Sequence, residues 1–364
     1  NVWIDTMVAH SCMHPEMRHD LATLTSLYTL KPYFKEMRKE AISGAYNETM
    51  WEYNGYDCCV TLEIAIALHE ELRRTGVLSL FETISMPVTK TLVRMEHTGV
   101  RIDDELRVAR KQELSSQIET LMEDPKLGGV NPNSPKQVKD YLRENLPSSV
   151  YKTVKATDVH ALKSLRLKRP ALGDFIDTIL EVRALRKIVG TYLGADAHED
   201  GRIRTSYRTS ATDTGRLSSS KDVFGKGMNL QNVPFDQRDW FIPSTDMVFW
   251  DADASQIEAR ITAWIAQDEN YIQGFLQDRD LHAENAAQLF GIPQEKVQET
   301  IPGSTDSYRD VGKRATHAMN YKVGPKKLKD MMNEAVPTLP FAMKDAYHFQ
   351  DTFKKIRPGV ARWW

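Results

Sequence analysis

The chain has 364 residues, 41% of them hydrophobic and 27% charged, a balance that supports folded cores and argues against wholesale disorder; the length suits two or three domains. No stretch nears the roughly eighteen uninterrupted apolar residues of a membrane span, and Asn1 to Asp5 lack the basic start and apolar run of a secretory leader. Three cysteines, Cys12, Cys58 and Cys59, show no zinc-ligand spacing and argue against a disulfide scaffold, while a net charge of −2 leaves any nucleic-acid site to local basic patches.

In chain order, Val2-Trp3-Ile4-Asp5 reads as a short buried strand or strand end, and His19-Asp20-Leu21 opens a helical pattern through Leu27. Trp51 to Leu72 is a long helical run that ends in Arg73-Arg74-Thr75-Gly76, cations and a glycine suited to a helix C-terminus. A second helix runs from Thr83 to His97 and closes at Thr98-Gly99, before a strand at Val100 to Asp103. Asp103 to Met122 carries Leu106, Leu114, Ile118 and Leu121 at helical spacing. Asn131-Pro132-Asn133-Ser134-Pro135-Lys136 is turn chemistry leading into a helix, with Ser134 as N-cap and Pro135 in the first turn. Helices continue to about Leu193. From Gly201 the pattern changes: Arg202 to Tyr207 alternates as a half-buried strand, a polar loop reaches Pro234, and Met247 to Asp253 reads as a buried strand. Beyond Ser255 the chain is mostly helical, so the class is α+β with helices dominating.

Three constellations carry chemistry. Val248-Phe249-Trp250 delivers Asp253 at a strand end, where an oxygen ligand can face a cleft and hold a divalent metal; Ser255 and Glu258 also spell a capping box, which requires no function. Arg309, Lys313, His317 and Tyr321 recur every four residues and form a stripe on one helix. Around it Arg314, Lys322, Lys326, Lys327 and Lys329 face one acid, Asp310. Such a face suits a triphosphate near a helix N-terminus, or is simply solvated. Thr214-Gly215-Arg216-Leu217-Ser218-Ser219 and Asn229-Leu230-Gln231-Asn232-Val233-Pro234 offer donors for phosphates and minor-groove acceptors, as a polar surface loop also would.

Asp253-Ala254-Ser255-Gln256-Ile257-Glu258 resembles the first palm motif of the family A DNA polymerases, and the similarity continues through Asp268-Glu269-Asn270, Asp280-Leu281-His282 and Ala286 to Gly291. The resemblance implies that Asp253 binds both catalytic magnesium ions, that Glu258 sits under the sugar and excludes a 2′-hydroxyl, and that His282 contacts the triphosphate. Arg309 to Tyr321 is similar to the family's fingers helix. There Arg309 and Lys313 would hold the triphosphate and Tyr321 would pack near the nascent pair; His317 replaces the usual aromatic, and Lys322 the usual glycine. The two polar segments resemble the primer-template loop, with Arg216 over the primer terminus and Asn229, Gln231 and Asn232 beside it. Ser220 to Met228 separates its halves by more residues than the family usually has.

Met86-Pro87 to Asp103 resembles the first palm helix, and Asn131 to Val138 the thumb tip, where Ser134, Lys136 and Gln137 would touch the duplex backbone; Arg183, Lys187 and Tyr192 fit the helix returning to the palm. Tyr53-Asn54-Gly55-Tyr56-Asp57 resembles the third motif of the 3′–5′ exonuclease domain, with Asp57 on metal and Tyr53 orienting the attacking water. Asp5-Thr6-Met7 and His19-Asp20-Leu21 resemble the same domain.

The resemblance implies the end of an exonuclease domain (1–78), followed by a palm start (79–103), thumb (104–200), palm (201–260) and fingers (261–364). The family's second palm carboxylate, from a His-Asp-Glu turn, and its first two exonuclease acidic motifs are absent from these 364 residues. The expectation is an internal piece of a polymerase, inactive by itself, that would use Mg2+, primer-template DNA and dNTPs in the bacterial or phage-infected cytoplasm, without a membrane. Two rivals stay open. A non-catalytic DNA-binding protein on the same scaffold would lack a His-Asp-Glu turn in its parent gene, and an exonuclease-only protein would have no need of the Arg309 to Tyr321 helix.

Overall fold

A computed structural model of the chain describes residues 3–31, 48–302, 304, 306–336 and 341–364. The chain divides into two units, Asn1–Glu123 with Val182–Phe249, and Asp124–Glu181 with Trp250–Trp364.

The first unit begins with helix α1 (Thr6–Met13), where Asp5 accepts from the Met7 and Val8 amides at 2.9 and 3.1 Å. Val2 lies outside the described residues and Trp3 to Asp5 is irregular. The expected strand is therefore a helix cap, because the Asp5 carboxylate satisfies amides that a strand would have paired elsewhere. Helix α2 (Leu21–Tyr28) is capped by Asp20. Helix α3 (Glu48–Arg74) buries Val60, Ile64, Leu68 and Leu72 completely, a period of four that makes one apolar stripe against Val8, Leu24 and Phe81. A π-helical turn at Phe81–Ser85 leads into α4 (Met86–Thr98), which ends at Gly99 with φ 63°.

That glycine is required twice over: its φ is left-handed, and a Cβ would lie 2.9 Å from the Ile203 carbonyl oxygen. The close approach sets the antiparallel pairing of β1 (Val100–Arg101) with β2 (Arg202–Ile203). Helix α5 (Asp104–Met122) follows its Asp103 cap. Strand β3 (Ser206–Arg208) pairs with β4 (Ser218–Ser220). Trp240, fully buried with Ile102, Tyr192, Leu193 and Ile203, anchors this part of the unit.

His10 and His19 share a buried contact, Nδ1 to Nδ1 at 2.7 Å. Burial, then the neighbouring His19 and His14, push His10 down to about 4 from 6.5. Unfolding therefore takes up a proton, so His10 favours the fold fully above about pH 6.5 and progressively less as pH falls toward 4. Thermal unfolding followed at pH 7 and pH 5 should show a loss of stability on acidification that is shallower in His10→Asn. An unchanged slope would mean that His10 is not protonated on unfolding.

In the second unit, α6 (Pro135–Asn145) starts as expected, with Ser134 Oγ accepting from the Gln137 amide at 3.3 Å. Tyr141 stacks on Phe175 at 3.9 Å. The larger core is built by α7 (Ile257–Ile265), α8 (Glu269–Leu276), α9 (Leu281–Phe290), α10 (Tyr308–Asn320), α11 (Pro325–Ala335), α12 (Met343–Ile356) and α13 (Pro358–Trp363). Helices dominate beside two two-stranded sheets among the described residues, in keeping with the α+β class.

Two expectations near Asp253 are corrected. Met247 to Asp253 is no strand: the run is irregular and Trp250 is 89% exposed. Apolar composition favours burial, yet a strand needs a ladder partner, and among the described residues none pairs with this run. Ser255 and Glu258 form no capping box either. Helix α7 starts at Ile257 after Gln256 in a left-handed conformation (φ 53°), which removes the extended N-cap geometry that the box requires.

Candidate active site

The site grows from the packing of α10 on α9. Ser307 and Asp310 make a true capping box at the start of α10, so the helix begins at a fixed residue, and the Tyr308 and Arg309 amides donate to the Glu299 and Val297 carbonyls at 3.3 and 2.8 Å. Val311, Ala315, Ala318 and Met319 face the core. Gly312 lets the two helices close, since a Cβ there would meet the Ala286 Cβ at 2.5 Å. Exposed Lys313 and His317 take the opposite face.

The first turn of α9 supplies what α10 faces. Asp280 caps α9 through the Ala283 amide (3.0 Å) and also receives Arg309 in a bidentate pair, Nε to Oδ2 at 2.7 Å and Nη2 to Oδ1 at 3.1 Å. His282, 6% exposed, lies beside this pair. Burial, then the Arg309 and Lys313 cations, push it down to about 4, so its imidazole is neutral at pH 7. Its Nδ1 is buried with no hydrogen-bond partner among the described residues.

From α7, Glu258 reaches His317, with Oε2 to Nε2 at 2.8 Å. The His317 ring lies 5.7 Å from that of Tyr321 at the end of α10. Glu258, His282, Arg309, Lys313, His317 and Tyr321 thus lie along one polar surface of the second unit. A buried polar layer supports α10 from behind: Asn285 donates to Thr316 Oγ1 (3.2 Å), Arg357 donates to Asn285 Oδ1 (2.8 Å), and Arg357 lies over Tyr271. Sequence reading missed Gly312, Asn285 and Arg357, and named Asp280 without giving it a role. For Asp280 a signal existed, because an Asp before an apolar helix start is a cap.

Asp253 is exposed in the irregular run ahead of α7, as is Asp251. Among the described residues no three His, Cys, Asp or Glu side chains gather as a metal-holding group. Magnesium is commonly held by one or two carboxylates, with phosphate oxygens and water completing the shell, and Asp253 and Asp251 offer that kind of donor.

The remaining candidates stand apart from this cluster in sequence and role. Ser134 is occupied as a cap, and Gln137 Oε1 accepts from the Asn131 amide at 2.8 Å, leaving exposed Lys136 as the charged group of that turn. In the first unit, Arg216 is exposed on a turn closed by Thr212 Oγ1 donating to the Arg216 carbonyl at 2.6 Å. Asn229 accepts from Ser219 Oγ (2.6 Å) and from the Gln231 amide, Gln231 donates to the Leu217 carbonyl (3.2 Å), and the Asn232 carbonyl accepts from Tyr192 (2.7 Å). The two polar segments are therefore stitched together, as expected for one loop. Tyr53 and Asp57 are half-buried one turn apart on α3, in line with its apolar stripe.

The family model for DNA polymerase family A matches residues 103–364. DNA polymerase I of Synechocystis is 32% identical over 348 residues, 89% of this chain and 33% of that protein. The thermostable DNA polymerase I of Thermus thermophilus is 33% identical over 277 residues, 71% of this chain and 32% of that protein. Among solved structures, the POL domain of Pol1 from M. smegmatis, in complex with DNA primer-template and dNTP, superposes with a TM-score of 0.77 at 26% identity, covering 99% of this chain and 60% of that one. The chain spans about a third of the length of these curated relatives.

Proposed function

The chain belongs to DNA polymerase family A, and from that premise we propose that it carries the nucleotide-binding half of a template-directed DNA polymerase. The observation that carries this reading is the convergence of Arg309, Lys313 and neutral His282 at the start of α10, with Glu258 held against His317 further along. In the reaction a primer 3′-oxygen attacks the α-phosphorus of a dNTP, the bond to the β-phosphate breaks, and pyrophosphate leaves. Lys313 and Arg309 would neutralise charge gathering on that leaving group. His282, uncharged, would donate a hydrogen bond to a phosphate oxygen without titrating near pH 7. Asp253 would hold magnesium, which when bound supplies a Lewis acid and a template for the phosphates.

Residues 1–78 would be the end of an exonuclease domain, with Tyr53 and Asp57 in its third motif. Lys136 and Arg216 would bind the DNA backbone in a cytoplasmic replication or repair setting. No described helix is long and apolar enough to cross a membrane.

Primer extension with dNTPs and Mg2+, by a parent polymerase that carries this chain together with the second palm carboxylate, tests the reading, and Glu258 makes it specific. A carboxylate beneath the sugar rejects a 2′-hydroxyl by clash and desolvation. Glu258→Ala should narrow the preference for dNTP over rNTP at least about tenfold, or roughly 1.4 kcal/mol. His317→Ala, which removes the Glu258–His317 contact while leaving the carboxylate, should change it far less. Equal preference ratios in the wild type and Glu258→Ala would reduce Glu258 to a partner of His317.

A further inference from the structure

The insertion between the two halves of the polar loop is a built structure. Asp222 organises it: one carboxylate oxygen accepts from the Phe224 and Lys226 amides, both at 2.9 Å, and the other lies 2.7 Å from His198 Nε2. The Asp222 amide donates to the Lys226 carbonyl at 2.9 Å, and Gly225 and Gly227 have φ of 77° and 74°. Gly227 runs so close to the chain that a Cβ would lie 1.9 Å from the Arg204 carbonyl oxygen. This well-tied turn presents Val223 and Phe224 to solvent, 86% and 81% exposed. Lys221 and Lys226 flank them.

Single exposed apolar residues are ordinary, but this pair sits on a turn whose backbone is already satisfied, so little ordering would be lost on binding. Two side chains are far too little for a stable protein interface, which needs about 800 Å² per partner. One aromatic face is enough for a nucleobase, and lysines on either side match the phosphates that accompany it. The stem of the turn is β4, which leads out of the Arg216 turn, and its return is Asn229.

We propose that Lys221–Gly227 is an additional DNA-contact element, in which Phe224 stacks on a base of bound primer-template while Lys221 and Lys226 meet its phosphates. The inference rests on the polymerase reading above, and its test separates the two. The protein is titrated against primer-templates carrying 2-aminopurine at successive positions. Wild type should quench the probe at one position, and Phe224→Ala should abolish that quenching and weaken binding about five- to hundredfold. Phe224→Trp should keep both, whereas Phe224→Leu, apolar without a π-face, should behave like alanine. Because Phe224 is exposed, none of these changes should move the melting temperature. Equal affinity and unchanged fluorescence in Phe224→Ala at every probe position would overturn the proposal and leave the polymerase reading standing. Failure of the wild type to bind any primer-template would overturn both.

Discussion

In a parent polymerase that carries this chain together with the second palm carboxylate, Asp253→Ala should abolish templated nucleotide addition, lowering single-turnover incorporation by at least about a thousandfold, or roughly 4 kcal/mol, while primer-template affinity changes little. The size follows from the role: a carboxylate that holds a divalent ion for phosphoryl transfer acts on charge that develops only in the transition state, so its loss appears in rate and not in binding. The structure makes the experiment clean. Asp253 is exposed and no hydrogen bond holds it among the described residues, so its removal should cost the fold within about 0.5 kcal/mol. Asp251, two residues earlier and equally exposed, is the internal control. A severe loss in Asp251→Ala with near-normal incorporation in Asp253→Ala would move the metal role to Asp251. Near-normal incorporation in both variants would remove this segment from the chemistry.

What the sequence made legible were features whose cause is local. Ser134 with Pro135, Gly99, and the long helical run from Trp51 to Leu72 are set by the residue and its near neighbours, and all appear where the sequence placed them. The basic stripe of α10 was readable for the same reason: a period of four on one helix brings Arg309, Lys313 and His317 together whatever lies around them. Features that depend on a second segment were hidden. The apolar run at Met247 to Trp250 signals burial, but only a partner strand could make it a strand, and composition cannot name the partner. Ser255 and Glu258 spelled a local cap, yet Glu258 pairs with His317, dozens of residues away. Gly312 is ordinary in sequence until Ala286 is seen against it. Asn285 and Arg357 gain meaning only from each other. The family resemblance named candidate residues on α7, α9 and α10; the polar layer beneath α10 needed the structure.

Arg309 and Lys313 should fail in different ways, and the difference comes from Asp280. Each substitution by alanine removes one positive charge from the surface proposed to receive the triphosphate, and each should lower incorporation efficiency about a hundredfold, roughly 2.7 kcal/mol. Removal of Arg309, however, also releases the Asp280 carboxylate from its bidentate pair, leaving an uncompensated negative charge beside the site. Asp280→Asn removes that charge and keeps the side-chain oxygen that caps α9, a role Asn fills as well as Asp. The double variant Arg309→Ala/Asp280→Asn should therefore recover about tenfold over Arg309→Ala. Lys313 makes no such pair among the described residues, so Asp280→Asn should not rescue Lys313→Ala. A second readout needs no catalysis. His282 is held near 4 by burial first and then by these two cations, so its NMR titration should move up toward 6.5 in either single variant. In Arg309→Ala it should move further, because the freed Asp280 charge also favours the imidazolium. If the His282 titration stays fixed and the double variant is no better than Arg309→Ala, the charges of α9 and α10 are not coupled as the geometry requires, and Arg309 is a structural clamp on Asp280 with no part in holding the nucleotide.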